Sequence, residues 1–342
     1  MLTSLVGSYP QPEWLIDREK LRSRLPPRVR ARDLWRIDPA YLRDAQDAAV
    51  LMAVRDQENA GLDIITDGEM RRESYSNYFV AGLEGVDIDE PGSVLDRSGN
   101  PMPAPRVTGA IRRREPVEVR DVQFLREATR KRIKVTVPGP FTMAAQADNE
   151  FYEHPRDVAF AFADAVRAEV RELFAAGADI VQLDEPWMEA RADAAREYGL
   201  ETLHRALDGI TGTTALHICF GYPLFVPDHA RTYRYLPELA AAPVDQISIE
   251  TAQANLDVSV LEELPGKTIL LGVIALDSAD VETPQTVAER LRRALPHKDA
   301  SQLIAAPDCG MKYLPRDAAF AKLQSLVAGA QLVRDEVATA AT

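Results

Sequence analysis

Eight short apolar, β-prone runs alternating with stretches of helical spacing constrain this sequence more than any other feature. The runs are Leu2 to Val6, Leu62 to Thr66, Arg132 to Val137, Asp179 to Leu183, Thr213 to Phe220, Val244 to Ile249, Thr268 to Ile274 and Gln302 to Ala306. Helical periodicity covers Tyr41 to Ala60, Arg156 to Ala176, Glu189 to Leu207, Thr232 to Ala241, Leu256 to Leu264, Pro284 to Leu295 and Pro315 to Glu336. Strands joined through helices pair in parallel, because a parallel neighbour needs a long crossover connection. Eight such units predict an α/β chain folded as a (β/α)8 TIM barrel. A doubly wound open sheet is the alternative. No G-x-G-x-x-G follows an early run, which weakens its dinucleotide-binding form. No solenoid repeat or low-complexity linker divides the chain, so residues 1–342 read as a single catalytic barrel. The segment from about 75 to 130 reads as an insertion between strands two and three, with a hairpin of Arg106 to Ile111 and Pro116 to Val119.

In such a barrel the C-terminal strand ends converge on one mouth, where active sites are built. Here those ends carry Gly7-Ser8, Asp67-Gly68-Glu69, Pro138-Gly139-Pro140, Asp184-Glu185, His217-Ile218-Cys219, Glu250-Thr251, Leu276-Asp277 and Asp308-Cys309. Residues i and i+2 share one face of a strand, so His217 and Cys219 offer an imidazole nitrogen and a thiolate to one point. Cys219 and Cys309 are the 2 cysteines of the chain, and both fall at this mouth. His217, Cys219, Glu250 and Cys309 together supply one nitrogen, two sulfurs and one oxygen. That donor set suits four-coordinate Zn2+, with the carboxylate as the hardest and most exchangeable ligand. Thiolates disfavour magnesium and calcium. Two inert buried thiols, or a closed zinc site that only braces a non-catalytic barrel, are the competing readings.

Glu69 and Asp184 fit either acid/base work or acceptance of a substrate ammonium, with loop capping as the plainer alternative. The Gly7-Ser8 turn can present backbone N–H groups to a carboxylate. Pro138-Gly139-Pro140 reads as a stiff turn, and Trp187 as a pocket wall or core filler. The basic run Arg112-Arg113-Arg114 reads as a solvated hairpin face. His154, His204, His229 and His297 fall in helical or loop stretches and read as surface residues.

A net charge of −13 argues against a general nucleic-acid or anionic-membrane binder, which needs a basic face. No apolar run approaches the ~18 residues of a membrane span. The start, Met1 to Gly7, lacks the basic region and long apolar core of a signal peptide, so a cytoplasmic location is expected.

These motifs resemble those of the cobalamin-independent methionine synthase family, specifically its C-terminal catalytic barrel, within the uroporphyrinogen decarboxylase and methionine synthase-like superfamily. The resemblance runs from Val6-Gly7-Ser8-Tyr9-Pro10-Gln11 to Pro307-Asp308-Cys309-Gly310-Met311-Lys312. It includes Asp67-Gly68-Glu69, Pro138-Gly139-Pro140, Val181 to Pro186, His217-Ile218-Cys219 and Ile247 to Thr251. It implies zinc on His217, Cys219, Glu250 and Cys309, and homocysteine contacts at Gly7, Ser8, Glu69 and Asp184. Glu69 and Asp184 would hold the amino group, and the Ser8 turn the carboxylate. The sequence also departs from the family pattern. The family's second, N-terminal barrel has no counterpart here. Asp277 stands where the family has its proton-donating histidine, and protonation of a leaving group by Asp277 would require its burial. Phe141 to Ala145 lacks the tryptophan that stacks on the folate pterin.

The resemblance therefore implies a zinc-dependent transferase that methylates a thiol, homocysteine, to the thioether of methionine. Its methyl donor would be methylcobalamin or a corrinoid protein, as in single-barrel relatives, or otherwise methyltetrahydrofolate. The His-x-Cys pair with a distant cysteine is also similar to that of zinc enzymes adding coenzyme M to epoxides. The acidic pair Glu69 and Asp184 favours an amino-acid thiol over a sulfonate.

Overall fold

The computed structural model describes residues 1–96, 99–226 and 232–340. Its strands are β1 (Leu2–Thr3), β2 (Ile64–Ile65), β3 (Glu84–Leu95), β4 (Pro101–Arg112), β5 (Arg132–Pro138) and β6 (Asp148–Asn149). They continue with β7 (Ile180–Asp184), β8 (Thr213–His217), β9 (Gln246–Ile249), β10 (Thr268–Ile274) and β11 (Leu303–Pro307). Eight of them form one parallel sheet in the order β1-β11-β10-β9-β8-β7-β5-β2. A parallel bridge from Ser4 to Ile64 joins the two ends of that order. The sheet thus closes as a (β/α)8 TIM barrel.

Alternation along the strands decides what the barrel holds. Ile180, Ala215, Leu270 and Ile304, one from each of β7, β8, β10 and β11, form a small apolar cluster separate from the main core. Their strand neighbours Val181, Leu216, Leu271 and Leu303 belong to the large cluster that also holds the helix residues. The small cluster is therefore an interior layer. Two residues further along the same face stand Gln182 and His217, and two further again Asp184 and Cys219. The inward face turns from apolar to polar as the chain approaches the mouth.

The outer ring includes the helices Leu42–Ala60, Val119–Ala128, Pro155–Ala175, Ala192–Leu207, Pro284–Ala294 and Arg316–Ala340. Their ends follow local chemistry. Leu42–Ala60 stops at Gly61, whose φ of 93° suits a left-handed cap. Pro284–Ala294 starts behind Thr283, whose hydroxyl accepts the Thr286 N–H. The helices expected after β8 and β9 are short 3-10 turns, Pro237–Ala241 and Val258–Glu263. Pro237 lacks an N–H to continue an earlier turn, so the first begins there.

The insertion differs from the sequence-based expectation. The hairpin pairs β3 with β4, from Glu84 opposite Arg112 to Leu95 opposite Pro101, and β6 adds parallel to β4. Pro116 to Val119 is not a strand, and Val119 opens a helix that buries Val122 and Leu125. Beyond the paired ends of β3 and β4, the Asp96 N–H donates to Asn100 O at 2.8 Å. Of the basic run, Arg112 and Arg114 are exposed as expected, but the Arg113 side chain turns in and pairs with Glu169 and, at 2.9 Å, with Glu172 on the helix Pro155–Ala175.

Candidate active site

Three soft donors converge where β8 and β11 end. Cys309 Sγ lies 3.5 Å from His217 Nε2 and 3.7 Å from Cys219 Sγ. Ligand atoms of all three residues lie within 4.8 Å of one another, and all three side chains are buried. The other ring nitrogen, His217 Nδ1, is 2.9 Å from Ser248 Oγ on β9. That contact fixes the ring and leaves Nε2 facing the sulfurs, as a second partner does for metal-ligating histidines. Ser248 was legible in principle, since it stands two residues before Glu250 on the same strand face.

The electrostatics of the trio call for a cation. Burial pulls the His217 imidazolium down, but the neighbouring Cys219 sulfur more than offsets this and the group titrates above its ordinary value. The hydrogen bond to Cys219 and then burial push the Cys309 thiol well up. Two adjacent sulfurs cannot both ionise in a buried site unless positive charge is supplied. One imidazole and two thiols at these separations are the donor chemistry of zinc, and the residues present fit that ion.

Glu250 is fully buried beside the trio but outside its 4.8 Å grouping. Its carboxylate accepts from Phe220 N at 3.3 Å and from Gln253 Nε2 at 2.7 Å. Asp308 holds this turn by accepting the N–H groups of Thr251, Ala252 and Gln253 at 3.1, 2.9 and 2.7 Å. A Cβ on Gly272 would come within 2.3 Å of Asp308 Oδ1, so only glycine leaves room there.

The trio forms part of the wall of a cleft of about 840 Å³, counting its open mouth. Gly7, Ser8, Glu69 and Asp184 line the same cleft. Glu69 is held with φ at 56°, a left-handed conformation uncommon outside glycine. Asp67 Oδ1 accepts its N–H at 2.9 Å. Glu69 Oε1 accepts from Thr136 Oγ1 at 3.2 Å, while its buried Oε2 has no hydrogen-bond partner among the described residues. A Cβ on Gly7 would stand 2.6 Å from Glu69 Oε1. The glycine therefore admits the carboxylate. Asp184 accepts from Gln182 Nε2 at 2.8 Å, and burial raises its carboxyl to about 6. Gln182 Oε1 in turn accepts from Lys134 Nζ at 2.8 Å inside the barrel.

Other expected groups fall elsewhere. Asp277 is exposed and absent from the cleft wall, so the burial its proposed acid role requires is missing. Pro138-Gly139-Pro140 is structural: Glu185 accepts from Phe141 N at 3.0 Å and Thr142 N at 2.7 Å, capping the short helix Pro140–Ala145. Trp187 is both buried and part of the cleft wall. His154 and His204 are exposed, and His297 is half-buried beside Glu262. His229 lies outside the described residues.

Comparison with known proteins decides the family. The family described as "Cobalamin-independent synthase, Catalytic domain" matches residues 1–332. The chain belongs to the cobalamin-independent synthase catalytic-domain family. Among curated relatives, a methionine synthase of Sulfurisphaera tokodaii is 32% identical over 337 residues, covering 98% of this chain and 93% of that protein. One of Thermococcus kodakarensis is 31% identical over 338 residues, covering 98% of this chain and 94% of that protein. Among solved structures, a B12-independent methionine synthase from Shewanella sp. W3-18-1, in complex with selenomethionine, superposes with a TM-score of 0.91. It is 33% identical, with 99% of this chain and 100% of that chain covered. A second structure, from Listeria monocytogenes at 21% identity and a TM-score of 0.71, shares the fold. No helix among the described residues is long and apolar enough to cross a membrane.

Proposed function

We propose that this member of the family transfers a methyl group to the thiol of homocysteine, forming methionine. In this reading His217, Cys219 and Cys309 hold zinc, with Glu250 as the fourth and exchangeable ligand. The observation that carries it is the convergence of one imidazole and two thiols on the wall of a cleft that also presents Glu69 and Asp184. When bound, zinc supplies a Lewis acid that lets a substrate thiol lose its proton near neutral pH.

The chain's own residues do the rest. The unpaired Glu69 Oε2 and the Asp184 carboxylate accept the substrate ammonium, which orients the thiol toward the metal-ligand trio. The Ser8 turn takes the substrate carboxylate. Trp187, Tyr222 and Phe225 give the cleft aromatic walls that displace water from the attacking sulfur. The acidic pair disfavours a sulfonate thiol, so the epoxide-opening alternative gains nothing here. Asp277, exposed and off the cleft, has no part in this reading.

The descriptions of the family and of the Shewanella enzyme, cobalamin-independent and B12-independent, favour methyltetrahydrofolate over a corrinoid as donor. The test is methionine formation by zinc-loaded protein from homocysteine, with methyltetrahydrofolate in one arm and methylcobalamin in the other. Methionine in the folate arm is the expected result. Methionine only in the other arm would reassign the donor, and none in either would overturn the reading.

A further inference from the structure

The cleft contains a buried cation that no assignment above employs. Arg28 comes from the segment before the helix Leu42–Ala60, not from a strand end, and it lines the cleft with Leu25 and Pro26. The residue is 9% exposed. Buried guanidinium groups ordinarily face a carboxylate, because an unpaired buried charge is costly. Arg71, Arg72 and Arg113 follow that rule, pairing with Asp121, Glu118 and Glu169. Arg28 forms no ion pair among the described residues. Its polar contacts are neutral. NH1 donates to Tyr75 Oη at 3.0 Å, and the guanidinium lies 5.3 Å from the centre of the Tyr75 ring. With the Gln146 amide set so that its carbonyl faces these groups, it accepts from Tyr75 Oη, the Trp187 indole N–H and, at 3.3 Å, Arg28 NH1. Arg28 Nε is buried with no acceptor among the described residues.

Gln146, itself held by Trp187, and Tyr75 thus hold the guanidinium in place without neutralising it. A planar fork with an unused N–H, fixed at a cleft wall, matches an oxyanion in two-point contact. We propose that Arg28 is an anion-recognition residue of this cleft, taking a carboxylate or phosphate group carried by a substrate. This rests on the methyl-transfer reading above. It adds a positive subsite to a cleft whose wall also carries the acidic residues Glu69, Asp96 and Asp184. Two substrates could bring the anion: the thiol amino acid through its α-carboxylate, or the methyl donor through an anionic tail.

Equilibrium binding separates these sources without turnover. Zinc-loaded wild type, Arg28→Met and Arg28→Lys are titrated with L-methionine, with 3-(methylthio)propylamine, which lacks the carboxylate, and with methyltetrahydrofolate. Losing a charge-assisted contact weakens binding about 10- to 100-fold. If the amino acid supplies the anion, Arg28→Met weakens methionine by that factor and leaves the amine unchanged. If the donor supplies it, only methyltetrahydrofolate weakens. Arg28→Lys keeps the charge but not the fork, and shows a smaller loss of the same selectivity. Because Arg28 has no ion-pair partner among the described residues, the Tm of Arg28→Met stays level or rises. Wild-type affinities for methionine and methyltetrahydrofolate in both variants overturn this inference and leave the methyl-transfer reading standing. A wild-type protein that binds neither ligand defeats both.

Discussion

Cys219 Sγ and Cys309 Sγ lie 3.7 Å apart although 90 residues separate them in the chain. They arrive from the ends of β8 and β11, with β9 and β10 between those strands in the sheet. No disulfide joins them. Closure of the barrel brings them together, and His217 completes the group from the same strand end as Cys219.

Ser248 orients His217 through Nδ1, so Ser248→Ala should loosen the ring without touching the cleft. Second partners of this kind typically contribute 10- to 100-fold in metal affinity. Competition with a zinc chelator should show a loss in about that range, with the Tm of the metal-free protein little changed. An unaltered zinc affinity would mean that Ser248 does not hold the ring.

Gly7→Ala places a methyl group 2.6 Å from Glu69 Oε1 and 2.9 Å from Thr136 Cγ2. Crowding of this kind costs about 1–3 kcal/mol when the neighbours must shift. Displacing Glu69 should raise KM for homocysteine by roughly tenfold or more on that scale while zinc content stays stoichiometric. A variant with unchanged KM would remove Glu69 from substrate binding.

Arg113→Ala leaves Glu169 fully buried without its guanidinium, though it keeps the N–H groups of Val117 and Glu118. Breaking a buried pair from one side costs about 3–5 kcal/mol. Chemical denaturation should record a loss of that order, with little change in KM for the folded enzyme. A loss below about 1 kcal/mol would match the solvated face that the run of three arginines suggested.

That arginine run marks the limit of what the sequence discloses. Periodicity and residue type locate all eight barrel strands, because each carries β-prone apolar residues. They also place His217, Cys219 and Cys309 at one mouth. The β3 strand escapes notice because Glu84 to Leu95 is rich in Asp, Glu, Pro and Gly, and its pairing with β4 is set by tertiary contact rather than propensity. Pro116 to Val119 mimics a strand, yet Val119, Val122 and Leu125 follow a helical stripe. Asp277 was placed by analogy of position, and its exposure depends on where the chain turns after β10. Arg28 is invisible as a site residue because nothing local distinguishes it from the arginines around it. Only the absence of a counter-ion among the described residues does.

Lys134 provides a pH test inside the barrel. Burial lowers its ammonium to about 7, against an ordinary value of 10.5. Between those values the unfolded chain carries the proton and the folded one does not, so folding stability contributed by this group rises with pH. Wild type should therefore gain stability relative to Lys134→Met as pH goes from about 6 to 9, by the sign of that linkage. Parallel stability curves for the two proteins would show that Lys134 stays charged in its site.

The account as a whole depends on a cation held by two sulfurs and an imidazole that can accept a substrate sulfur. Zinc K-edge X-ray absorption, before and after adding homocysteine, tests this directly. The account predicts two sulfur scatterers at about 2.3 Å with nitrogen and oxygen near 2.0–2.2 Å, and a third sulfur once the thiol is present. A zinc shell without sulfur, or one that ignores homocysteine, would contradict it.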